Sequence, residues 1–343
     1  LIHGYRLLAQ SWHGSKNMTK KPPQRPTIGL ALGSGSARGL AHLGVIKALA
    51  KAGIEVDFIA GTSIGALIGA IHAAGKLDEL EARFQAFDWK QMLSFFDVVL
   101  PKSGLLDGAK VSELVRALIR SDAIETLAKP FAAVATDIVS GEEVVIRSGD
   151  VIEAVRASIS VPGIFTPVRS NGRILVDGGL TNPVPVSVAR AMGADIVIAV
   201  DLNHQIVAGK NFKPLLNTPT GEGGGMPGRF SRWVDDYRLS MNDLKQKLLA
   251  GDDPVSAQFR KWTSPESLPS IFEVLLASIN IMETSITQTR LSLDRPDILI
   301  QPPLGHIRFL EFGRAEEIIA IGYEHTQRQL AALDVDWRER GKC

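Results

Sequence analysis

Val56-Asp57-Phe58-Ile59-Ala60-Gly61-Thr62-Ser63-Ile64-Gly65 runs from an apolar stretch through two glycines into a small-residue, apolar segment that ends near Ala74. Residues 56–60 predict a buried strand and residues 63–74 a buried helix. Between them, Gly61-Thr62-Ser63-Ile64-Gly65 matches the pattern G-x-S-x-G. A serine on a strained strand-to-helix turn projects its hydroxyl above the sheet edge. Gly61 and Gly65 let strand and helix approach without side-chain clashes. The N-terminus of the helix turns its positive end toward negative charge developing at the serine. A chain with 32 glycines also produces such a pattern by chance. The strand–turn–helix context is what makes Ser63 a candidate nucleophile.

Upstream, Ile28-Gly29-Leu30-Ala31-Leu32 reads as another buried strand, and Leu40, Leu43, Val45, Ile46 and Leu49 recur at helical spacing over 38–52. Two strand–glycine turn–helix units in succession imply an α/β fold with a parallel sheet and crossover helices. Gly33-Ser34-Gly35-Ser36-Ala37-Arg38-Gly39 joins the first pair. Its backbone N–H groups form an anion-binding concavity, which serves either as an oxyanion hole or as a dinucleotide phosphate loop. A dinucleotide site needs an acid at the C-terminal end of the second strand. Glu55 and Asp57 lie at its start instead, and its far end carries Gly61-Thr62-Ser63. This favours the oxyanion reading. Arg38 is read as a buttress of the loop or an attractor for anionic substrate, against the plainer reading of a solvated first-turn side chain.

Downstream, residues 78–120 read as helical with a break at 101–108, and 131–136 as a strand whose hairpin partner is 143–147 through Ser140-Gly141. Ile174-Leu175-Val176 precedes Asp177-Gly178-Gly179, and 195–200 is a further apolar strand. A helix over about 268–290, a strand at 297–301 and a helix at 314–330 complete the reading. Residues 203–228 hold Pro214, Pro219, Pro227 and the run Gly221-Glu222-Gly223-Gly224-Gly225, and read as a loop. Phe230, Trp233, Val234, Tyr237, Met241, Leu244 and Leu248 then line one helical face within 229–250. That helix is read as packing on the domain; the competing reading makes it a lid or a peripheral membrane contact. The organisation expected is a flexible tail at 1–26, one domain at 27–330 with a loop and helix insertion at 203–268, and a second tail at 331–343.

Hydrophobic residues make up 45% and charged residues 22%, with a net charge of +1. This composition supports a large buried core and gives no basic excess for nucleic acid. One cysteine, Cys343, permits no intrachain disulfide. With no signal-peptide core and no apolar run of about 18–20 residues, a cytoplasmic protein is expected.

A serine hydroxyl needs a base. His3 and His13 fall in the first tail, His42 and His72 inside helices, and His325 in the last helix. His204 and His306 flank loops and remain open as alternatives. Asp177 is better placed. It follows a strand, so it is expected at the carboxyl edge where ligands of parallel sheets gather, and Gly178 and Gly179 permit a tight turn. An ordinary Asp-Gly turn is the competing reading.

Taken together and in this order, the segments resemble the patatin-like phospholipase family, most closely its bacterial members related to the neuropathy target esterase catalytic domain. That family carries a G-G-G-x-R/K-G loop, a G-x-S-x-G elbow and a D-G-G/A motif. They are matched by Gly35-Ser36-Ala37-Arg38-Gly39 with Gly33-Ser34 ahead, by Gly61 to Gly65, and by Asp177-Gly178-Gly179. Ala157-Ser158-Ile159-Ser160-Val161-Pro162-Gly163-Ile164-Phe165 is similar to its A-S-x-x-x-P-x-x-F stretch. The resemblance spans residues 27–202 and 297–330. It implies a three-layer sandwich with a mostly parallel central sheet, and a Ser63–Asp177 dyad working on lipid or acyl esters without metal or cofactor. By position, the oxyanion donors it implies are Gly35 and Ser36, with Ala37 third. Ser34 and Ser36 depart from the all-glycine versions of the loop, and positive φ is costly for serine. Acyl transfer to a non-water acceptor would use the same dyad. A binding or regulatory protein on the same fold is the non-enzymatic alternative.

Overall fold

The computed structural model describes residues 25–86, 108–119, 123–205, 271–309 and 311–332 of the 343. The loop and helix read at 206–250, most of the 203–268 insertion, and nearly all of both tails lie outside the described residues. Arg25, read as part of the first tail, forks onto Asp57 (2.8 Å) and Glu55 (3.0 Å). The other oxygen contact of Asp57 is the N–H of Ile28 (2.8 Å), so the acids before the second strand anchor the first.

Eight strands form one sheet: β1 (Ile28–Leu32), β2 (Phe58–Thr62), β3 (Phe131–Asp137), β4 (Glu143–Ile146), β5 (Val168–Ser170), β6 (Arg173–Asp177), β7 (Ile196–Val200) and β8 (Ile298–Ile300). Their order is β5-β6-β3-β2-β1-β7-β8, with β4 also paired to β3. Pairs β3–β2, β2–β1, β1–β7 and β7–β8 are parallel, while β4, β5 and β6 pair antiparallel.

The central strands are apolar at nearly every position because both faces of the sheet are covered. Side chains alternate between the faces. Leu30, Leu32, Ile59, Ala133, Ile198 and Val200 face one core. Ala31, Ala60, Ala132, Val134, Val197 and Ala199 face the other. The first core is roofed by α1 (Ala41–Lys51), α2 (Ile64–Ala73), α3 (Leu77–Ala86), α4 (Ala109–Leu118), α5 (Val151–Ser158) and α8 (Ala315–Ala332). The second is closed by α6 (Val186–Ala191), with Leu291 of α7 (Ile271–Leu293) packed against it. The result is the expected α/β sandwich, a mostly parallel sheet between helical layers.

Two differences from the sequence reading matter. β2 lies two residues further along than 56–60, so it runs directly into Ser63. β6 is not a parallel strand but the second arm of a hairpin with β5. Asn171 (φ 50°) and Gly172 (φ 77°) make its two-residue turn, the left-handed geometry that Asn-Gly favours. No helix among the described residues is long and apolar enough to cross a membrane.

Candidate active site

The elbow is strained where the chemistry would need it. Ser63 adopts φ 57° and ψ −125°, a region that non-glycine residues enter only when the surroundings hold them there. Its neighbours leave it little choice. A methyl on Gly65 would meet the Leu32 carbonyl oxygen at 2.2 Å, and one on Gly61 the Gly65 oxygen at 2.4 Å. The Ser63 N–H donates to Ser158 Oγ (2.9 Å), and Ser158 Oγ donates to the Val134 carbonyl (2.5 Å). α2 follows at once and aims its N-terminus at the hydroxyl.

Asp177 reaches the serine by register. An antiparallel strand would ordinarily end at the wrong edge of a parallel sheet. However, β6 overlaps only the last three residues of β3, with Ala135 beside Asp177, and Thr62 of β2 stands beside Val134. The end of β6 therefore comes level with the elbow. The expected location is right, but its assumed cause, a parallel strand, is replaced by a short antiparallel overlap. Ser63 Oγ donates to Asp177 Oδ2 at 2.5 Å, and Gly179 N–H donates to Oδ1 at 2.7 Å. The Asp177 N–H donates to the Ser160 carbonyl (3.0 Å), and Thr136 Oγ1 to its carbonyl (2.9 Å). The segment 158–160 thus braces both partners. Asp177 is buried, and its carboxyl is pushed well above the ordinary carboxylate range, by burial first and then by the nearby Glu283.

The loop at 33–39 packs on the elbow: a methyl on Gly39 would stand 2.3 Å from the Ile64 side chain. Ser34 N–H is bonded to the Pro183 carbonyl (2.8 Å) and Ala37 N–H to that of Phe309 (3.0 Å). Ala37, expected as a third oxyanion donor, is therefore occupied. Gly35 and Ser36 N–H find no acceptor among the described residues. Ser36 takes a left-handed backbone (φ 50°), so the serine bears the cost that glycine would avoid. Arg38 is buried, not solvated. Its guanidinium donates to the Ile307 carbonyl (3.2 Å) and Asn280 Oδ1 (3.4 Å), and burial pushes its pKa down to about 10. That geometry is a buttress.

No histidine among the described residues hydrogen-bonds Ser63. His42 Nε2 lies 2.8 Å from the Gly33 carbonyl, and burial pushes the ring down to about 4, so it is neutral and structural. His306 pairs with Glu317 (3.2 Å) on the surface. Asn182, expected only to restrain a loop, takes Thr62 Oγ1 on its carbonyl (2.8 Å) and donates to Glu143 (3.0 Å). Sequence reasoning missed three residues of the site. Ser158 carried no signal of its own beyond the resemblance. Glu283 and Asn203 sit behind the glycine loop. The legible sign was an acid on the buried stripe of its helix, with Leu276, Ile279, Thr284 and Thr287.

The patatin-like phospholipase family profile matches residues 30–190. The chain is 33% identical over 338 residues to an uncharacterized NTE family protein of Mycobacterium tuberculosis, covering 91% of this chain and 93% of that one. A second uncharacterized NTE family protein of that organism is 32% identical over 310 residues, 89% of this chain and 47% of its own length. Patatin-like phospholipase domain-containing protein 7 of Mus musculus is 29% identical over 317 residues, 87% of this chain and 20% of that protein.

Proposed function

The chain belongs to the patatin-like phospholipase family, and on that premise we propose that it is a serine hydrolase of lipid carboxylic esters with Ser63 as nucleophile and Asp177 as base. Family membership supports lipid-ester hydrolysis in general terms. The observation that carries the finer reading is the 2.5 Å hydrogen bond from Ser63 Oγ to Asp177 Oδ2. A strained serine bonded to a buried carboxylate, with the glycine loop packed on the elbow through Gly39 and Ile64, supports acyl transfer.

In this mechanism Ser63 Oγ attacks the ester carbonyl carbon while its proton passes to Asp177 Oδ2. The carbonyl oxygen becomes an oxyanion held by the N–H groups of Gly35 and Ser36, aided by the N-terminus of α2. The C–O bond to the leaving alcohol then breaks, and Asp177 returns the proton to that oxygen. Water then gives a proton to Asp177 and attacks the acyl carbonyl carbon; the bond from that carbon to Ser63 Oγ breaks, Asp177 returns the proton to Oγ, and the fatty acid leaves. A carboxylate is ordinarily a weak base. One raised above its usual range by burial is better matched to neutral pH. Leu180, Phe165 and Phe309, packed beside the Asp177 turn and the glycine loop, supply apolar surface suited to an acyl chain.

Hydrolysis of a short-chain p-nitrophenyl ester tests the reading. Ser63→Ala and Asp177→Asn are each expected to lose at least about a hundredfold in kcat/KM. If only Ser63→Ala is inactive, Asp177 is not the base, and His204 or His306 must be reconsidered.

A further inference from the structure

Glu283, in the middle of α7, takes no part in the steps above, yet it is 6% exposed and lies beside the dyad. Its Oε2 accepts hydrogen bonds from Ser34 Oγ (2.8 Å) and Asn203 Nδ2 (3.2 Å). Ser34 immediately precedes the two unpaired N–H groups. Asn203 follows β7, with its own N–H on Asp201 Oδ1 (2.9 Å). The other oxygen faces the base across a glycine. A methyl on Gly179 would stand 2.3 Å from Glu283 Oε1 and 3.1 Å from Asp177 Oδ1. Two buried carboxyls therefore flank one residue that has no room for a side chain.

Clamping Ser34 and Asn203 requires only an acceptor, which a glutamine would supply without the cost of burying a charge. The charge itself matters only through its neighbours. From the glycine loop itself, Arg38 acts on Glu283 as the nearby cation. From β6, Asp177 is the facing carboxyl. Asp201, at the end of β7, acts on Arg38, and the adjacent His204 is kept neutral by burial. The turn at 178–180 carries no charge, and Arg290, further along α7, is turned away to Glu143 (3.1 Å).

We propose that Glu283 is a positioning residue of this hydrolase: it clamps the loop bearing the oxyanion donors and stands as a second buried carboxylate across Gly179 from Asp177, so that the two carboxyls work as one acid–base pair. This rests on the reading of Ser63 and Asp177 given above. Burial raises both carboxyls above their ordinary range, and the charge of Glu283 raises Asp177 further. Like charges in one dry pocket ionise in turn rather than together. Asp177 must be ionised to take the serine proton, so the acid limb of kcat/KM reports the pair.

The test compares the full chain with Glu283→Gln for p-nitrophenyl ester hydrolysis across pH. Removing the neighbouring charge is expected to move the acid limb down by about one pH unit, with KM changed by less than about twofold. Superimposable limbs, or a uniform loss without a shift, overturn the proposal. If the variant does not fold, infrared titration of the unaltered protein decides. Two protonated carboxyl bands that titrate away in separate steps support the pair, and a single step overturns it. A wild type that neither turns over ester nor takes a fluorophosphonate on Ser63 defeats the hydrolase reading instead, and the infrared titration still judges the carboxyl pair.

Discussion

At the scale of single residues, backbone contacts hold the candidate site as firmly as the Ser63–Asp177 hydrogen bond does. Ser158 receives the Ser63 N–H and passes a hydrogen bond on to Val134, so it fixes the strained elbow from below. Ser158→Ala leaves a buried N–H unpaired, at a cost of about 1–3 kcal/mol. Turnover of a p-nitrophenyl ester should fall about tenfold or more through kcat, because misplacing a nucleophile is costly even when the substrate still binds. An unchanged kcat would show that the elbow holds itself. Asp177 makes a second, thermodynamic prediction. Its folded-state pKa lies above the unfolded value, so the folded chain retains a proton that the unfolded chain has released. Stability therefore falls as pH rises from about 4 through the raised pKa. Asp177→Asn removes this liability. The variant should melt above wild type near pH 8 by about 3 °C or more, with the gap closing toward pH 4. A gap independent of pH would mean that Asp177 is not raised.

At the scale of elements, the last helix is seated on the first by glycines. A methyl on Gly44 of α1 would meet the Ile319 carbonyl oxygen at 2.0 Å, and one on Gly322 of α8 would meet that of Ala41 at 2.3 Å. Backbone cannot yield as a side-chain tip can. Gly322→Ala should cost about 3 kcal/mol, read as a lower urea midpoint with an unchanged m value. α1 is the helix entered from the glycine loop, so the seating of α8 also supports that loop. Helix periodicity predicted both helices to within two or three residues of their ends, because each carries its own apolar stripe. It could not show that they touch backbone to backbone, since nothing local distinguishes such a glycine from one in any helix. Asn171-Gly172 alone signals the β5–β6 hairpin weakly, because β5 is only three residues long and exposed at its centre.

At the scale of the whole molecule, the family profile ends at residue 190, but the sheet does not. β7 and β8 extend it, α8 roofs one core, and α7 brings Glu283 to the site. A fragment ending at residue 202 would expose Ile198 and Val200 and leave Ser34 without Glu283. It should be insoluble or lack cooperative unfolding by circular dichroism, and a fragment that melted cooperatively would show that the C-terminal elements are accessory.

The sequence by itself determined the layered α/β architecture, the serine on its turn, and the glycine loop before it. These rest on local features: apolar runs of strand length, helical periodicity, and glycines where the backbone must approach closely or turn. It also pointed to Asp177, though by way of a parallel strand that does not exist. Only the tertiary structure decided how that carboxylate arrives, because the overlap of β6 with β3 joins residues 114 apart from Ser63 in the chain. Only the tertiary structure, likewise, paired the Ala37 N–H with the Phe309 carbonyl and brought Glu283 to Ser34 across 249 residues. Strand register and buried polar pairing are properties of elements meeting, and no single element carries them in its own sequence.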